Sequence, residues 1–145
     1  VAKRNGKMNN PQTLDKSDFE RLSQFRYRLR CFLRHSEDIC RRYGLTPLQY
    51  QLLLHLRGFH GRDWATVGEL AERLQAKHHG VVALVDRCEQ LSLVVRRQGR
   101  EDRRQIEVHL LEEGVNRVTQ IAEAHQPELR HLQEEAPFPG WNKPT

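Results

Sequence analysis

The sequence predicts a mainly α-helical chain with one small β-hairpin, and three observations carry that prediction. Apolar residues recur every three and four positions along most of the chain, which is the helical period. The period gives way once, where Leu93-Val94-Val95-Arg96-Arg97 and the alternating Ile106-Glu107-Val108-His109-Leu110 flank a turn rich in glycine and charge. At 145 residues, 37% apolar and 30% charged, the chain suits one domain that can bury a core. Its mean hydropathy is −0.78, and apolar runs such as Val81 to Val85 fall far short of the roughly 20 residues that cross a bilayer. No secretory leader is read at the polar N-terminus. Cys31, Cys40 and Cys88 are odd in number and show no C-x-x-C spacing, which fits a reducing cytoplasm better than a disulfide scaffold.

Each element has its own signal. Residues 1–16 lack an apolar repeat and read as a disordered arm. Over 17–44, Phe19, Leu22, Phe25, Leu29, Phe32, Leu33, Ile39, Cys40 and Tyr43 form one apolar stripe, ended by Gly44. So long a stripe on so small a domain suits packing against a second subunit. Thr46-Pro47 is an N-cap followed by an N1 proline, opening a helix to about residue 59 with Leu48, Leu52, Leu53 and Leu56 on one face. After a short Trp64-Ala65 segment, Thr66 and Glu69 form a capping box ahead of Leu70, Ala71 and Leu74. Val81, Leu84, Val85, Cys88 and Leu91 make a fourth helix, entered through Lys77, His78, His79 and Gly80. A two-stranded hairpin follows. From Glu112 the helical period returns with Val115, Val118, Ile121 and Ala122, breaks at Pro127 and resumes at Leu129 and Leu132 up to residue 136. Residues 137–145 read as an irregular tail.

Charge is unevenly placed. The net +5 is made of +5 over residues 21–43, +3 over 77–104, −4 over 112–135 and +1 over the rest, and 19 of the 24 basic residues are arginine. Arginine suits bidentate phosphate contacts. Two helices joined by a tight turn, the second entered through basic residues and followed at once by a hairpin, make a winged helix-turn-helix over 45–111. An α-helix fits the major groove of B-DNA, so Lys77, His78, His79, Val81 and Val82 are candidates for base and phosphate contacts. Arg96, Arg97, Arg100, Arg103 and Arg104 would then flank the minor groove, with Asp102 beside them. Arg87 reads either as a phosphate contact or as a scaffold ion pair.

The residues resemble the MarR (multiple antibiotic resistance regulator) family of winged helix-turn-helix transcription factors. The resemblance runs through LTPLQYQLLLHL from Leu45, TVGELAERL from Thr66, LVDRCEQLSLVVRR from Leu84 and DRRQIEVHLLEEG from Asp102. Its most specific piece is the D-x-R wing signature, here Asp102 and Arg104, followed by Val108, Leu110 and Gly114. The resemblance implies a homodimer joined through the N- and C-terminal helices, 17–44 and 112–136. Phe19, Leu22, Phe25, Leu29, Val118, Ile121, Leu129 and Leu132 are its candidate contacts. It further implies two winged modules reading a pseudo-palindrome in double-stranded DNA, with Arg104 in the minor groove and Asp102 orienting it. A small-molecule effector pocket is also implied, with His35, Tyr43 and Tyr50 as candidate lining or, equally, as ordinary packing.

The function expected is therefore a cytoplasmic regulator, a repressor released by a ligand or an oxidant. The alternative is a winged-helix protein-interaction or architectural module without sequence-specific DNA binding. No nucleophile elbow, phosphate loop or paired carboxylates appear, so no enzyme and no cofactor are expected. Eight histidines include no H-x-x-x-H pair, so no metal site is expected either. The cysteines read first as small apolar packing residues, with a redox role for Cys31 or Cys40 as the second reading.

Overall fold

A computed structural model describes residues 13–135. The irregular tail expected over 137–145, and most of the arm expected over 1–16, lie outside the described residues. Asp15 already caps the first helix: its carboxylate accepts the Asp18 amide at 3.0 Å, and Asp18 accepts the Asp15 amide in return. Helix α1 then runs Lys16–Arg42, and Gly44 turns the chain with φ of +78°, a value that glycine adopts without steric cost. The Thr46–Gln49 capping box and Pro47 open α2, Pro47–Gly58. Helix α3, Val67–Leu74, starts at the Thr66–Glu69 box, and α4, His78–Gln90, follows after three residues. Helices α5, Glu112–Ala124, and α6, Gln126–Glu135, complete the order, divided next to Pro127.

The hairpin strands are β2, Val94–Gln98, and β3, Ile106–Leu110. They form the expected hairpin, and a third strand, unassigned from the sequence, joins them. The short segment Trp64–Thr66 is β1, paired antiparallel to β3 with Trp64 opposite His109 and Ala65 opposite Val108, so the strand order is β1-β3-β2. Three residues are too few to show an alternation, and their pairing partner lies more than 40 positions away.

The core sits between α2, α4, α5 and the sheet. Leu52, Leu53, Leu56, Leu70, Val85, Cys88, Val108 and Ile121 are all fully buried there. At Gly114 an added Cβ would lie 2.1 Å from the Leu93 carbonyl oxygen, so only glycine lets α5 start this close to β2. Val118 and Ile121 face inward from α5 and are 2% and 0% exposed. They are core residues of one protomer, a correction to their reading as dimer contacts. An amphipathic stripe shows that a face is buried, not which chain buries it. Among the described residues, no helix is long and apolar enough to cross a membrane.

Candidate nucleic-acid interface

Helix α4 presents two unlike faces. Val81, Val85 and Cys88 point into the core, while His78, His79, Gly80, Ala83 and Arg87 are exposed. Val81, 1% exposed, is thereby corrected from a DNA contact to a packing residue. Lys77 occupies the N-cap without a side-chain cap hydrogen bond, leaving the first-turn amides open to an outside acceptor. Val82 is half-buried.

The wing loop is built by backbone. The Gly99 amide donates to the Gln105 carbonyl at 2.9 Å, and the Gln105 amide donates to the Asp102 carbonyl at 3.1 Å. The chain passes itself so closely that a Cβ on Gly99 would meet the Asp102 oxygen at 2.4 Å. Asp102 accepts the Arg104 amide at 3.0 Å and lies 3.5 Å from its Nε, so the carboxylate fixes the loop and the root of the arginine together. The Arg104 side chain is nonetheless 94% exposed. Arg97, Arg100 and Arg103 are on the same wing and are all exposed.

A cleft of about 490 Å³ brings the two parts together: it is lined by His78 and Val82 of α4, by Arg96, Arg104 and Gln105 of the wing, and by Thr66 to Gly68. Arg96 does not project with the other arginines. Its guanidinium reaches Asp86 at 2.6 Å and Glu89 at 3.2 Å on α4. Strand alternation could have shown this, since Arg96 shares a face with the buried Val94 and Arg97 takes the opposite one.

Comparison with known proteins agrees with this arrangement. A MarR family sequence model matches residues 43–105. The HTH-type transcriptional repressor MdtR of Bacillus subtilis is 39% identical over 71 residues, which are 49% of this chain and 44% of that protein. A MarR family protein from Bacillus stearothermophilus superposes with a TM-score of 0.71 at 26% identity, over 84% of each chain. Over its winged region the chain is thus similar to the MarR family. It spans 44% and 63% of the length of the two curated relatives it matches. The same fold occurs in a mutant of S. aureus MepR bound to an oligodeoxyribonucleotide, with a TM-score of 0.62, 19% identity and 85% of each chain covered.

The remaining candidate residues of the chain separate into distinct places. Phe19 is 56% exposed and Leu129 48% exposed, with Leu22, Phe25, Leu29 and Leu132 half-buried, so these six line an apolar strip on α1 and α6. The three expected effector residues occupy different settings. His35 pairs with Glu128 across α1 and α6 at 3.1 Å and borders a cavity of about 180 Å³ that neither tyrosine lines. Tyr43 is the exposed C-cap of α1, with its carbonyl accepting from Arg117 at 2.6 Å. Tyr50 is buried and stacks on His125 at 5.1 Å.

His125, which nothing in the sequence singles out, is itself 3% exposed. Its Nδ1–H donates to the Ile121 carbonyl at 2.7 Å, leaving Nε2 to accept the Ser36 hydroxyl at 2.6 Å. One imidazole thus ties α1, α2 and α5 together. Burial raises the pKa of the Cys40 thiol, and pushes that of Cys88 up to about 11. Both stay protonated, in keeping with their reading as packing residues, whereas Cys31 is exposed. Among the described residues, no group of three or more His, Cys, Asp or Glu could hold a metal ion.

Proposed function

We propose that this chain is a homodimeric, sequence-specific double-stranded DNA-binding transcriptional regulator of the repressor type. In this reading residues 45–111 form the DNA-binding region, and 17–44 with 112–136 form the dimerisation helices. The observation that carries the reading is that the exposed start of α4 and the exposed Arg104 line one cleft. That spacing lets a helix enter a major groove while an arginine reaches the adjacent minor groove. His78, His79 and Val82 are assigned to the major groove, Lys77, Arg87, Arg97, Arg100 and Arg103 to phosphates, and Arg104 to the minor groove with Asp102 orienting it. A solved relative of the same fold is bound to an oligodeoxyribonucleotide, and a curated relative is a repressor, which supports the assignment. The operator is a pseudo-palindrome, because a two-fold dimer presents two identical modules.

Release from DNA follows a change in the spacing of the two modules, driven by a small effector or by an oxidant acting at Cys31. Cys31 is the described thiol that solvent reaches. The test is Arg104→Ala, which leaves the loop-forming Asp102–amide bond intact. It is expected to weaken binding to a selected duplex about tenfold or more. Equal affinity of the variant and the parent would overturn the role of Arg104.

A further inference from the structure

Arg96 sits among the wing arginines yet is spent on the protein itself. Its side chain is 26% exposed, and its Nη2 donates to Asp86 at 2.6 Å and to the Val82 carbonyl at 3.2 Å. Its Nη1 donates to Glu89 at 3.2 Å, and its backbone amide donates to the other oxygen of Glu89 at 2.8 Å. Val82, Asp86 and Glu89 lie at i, i+4 and i+7, one stripe along two turns of α4. β2 is an edge strand in the β1-β3-β2 order, so its Arg96 amide binds a helix carboxylate where a central strand would bind a neighbour.

We propose that Arg96, with Asp86 and Glu89, is a positioning clamp that fixes the wing to the recognition helix so that both grooves are engaged in one register. This rests on the DNA-binding reading above. A duplex is stiff, and base-edge hydrogen bonds tolerate only a few tenths of an ångström. A wing that rocked against α4 would have to be ordered again at each binding event, whereas a clamped one is preorganised. The clamp also explains two carboxylates on a helix that approaches phosphates. Taken alone, Asp86 and Glu89 repel DNA; paired with one guanidinium, they hold the wing and lose half of their net charge.

This gives the experiment a sign. If the carboxylates acted only as charges, Asp86→Asn with Glu89→Gln would tighten binding to every duplex. If they hold the clamp, the double variant binds the selected duplex about three- to thirtyfold more weakly, while a random duplex binds equally or better. Arg96→Met is expected to lose tenfold or more on the selected duplex with its salt dependence unchanged, because Arg96 touches no phosphate. A loss of fold stability alone would lower the melting temperature and leave the ratio of selected to random affinity as in the parent, which contradicts the clamp. So would tighter binding of the double variant to both duplexes, or a salt slope lowered by about one in Arg96→Met. A parent chain that selects no duplex overturns the DNA-binding reading and the clamp with it. A parent that selects a site, beside a double variant that binds it equally well, overturns the clamp alone.

Discussion

Helices α1 and α2 are both amphipathic, but they use their apolar faces differently. α1 has 27 residues and buries only Ile39 and Cys40 near its C-terminal end; α2 has 12 and buries five. The stripe of α2 is answered within the protomer by α3, α5 and the sheet. The stripe of α1 runs past that core and continues beside α6, where Phe19 and Leu129 stay open to solvent. In the proposed dimer, folding of the winged module and pairing of two chains would therefore be separable problems, solved by different residues.

The largest effect should come from the answered face. Leu53→Ala removes a fully buried side chain and is expected to cost about 2–5 kcal/mol, read by denaturant unfolding of the parent and the variant. A loss under about 1 kcal/mol would mean that the core is not where the structure puts it. The unanswered face should behave otherwise. Leu29→Glu, half-buried on α1, is expected to convert the dimer to a monomer in sedimentation while helical content and the near-ultraviolet signal persist. A variant that unfolds, or one that remains dimeric, would break the separation.

Much of this was legible in the sequence because its signals are local. Thr46 with Gln49 and Thr66 with Glu69 are three residues apart, and both boxes form. The hairpin was legible from its alternation. What was not legible was non-local: β1 exists by pairing with β3, and His125 matters by touching Ser36 and Tyr50 from distant helices. Val118 and Ile121 carried the right period, but a period names no partner. Arginine density suggested one use for the whole wing, and the strand geometry divides it: Arg104 faces outward and Arg96 faces α4.

The smallest expected effect sharpens the same contrast inside the winged module. Arg62 lies over the rings of Phe59 and Trp64 at 4.6 and 4.4 Å and forms a two-point contact with Glu69, one arm of it 3.1 Å long. The hydrogen bonds from Arg62 hold the Glu69 carboxyl below its ordinary pKa. A carboxyl depressed on folding adds stability above its unfolded value near about 4.3, and that stability is lost as pH falls through the lower folded value. Glu69→Gln should therefore cost about 1 kcal/mol or less at neutral pH, with the difference from the parent closing below about pH 4. A difference independent of pH would show that the cap hydrogen bonds, not the charge, set its size.

The central claim is that two copies of this chain carry two clamped winged modules at a fixed spacing. Selection of duplexes from a random library by the purified protein tests it most directly. The account predicts an inverted repeat with half-sites about one helical turn apart, bound with an affinity that falls as salt rises. Recovery of a single half-site, or of no preferred sequence at any salt concentration, would contradict it.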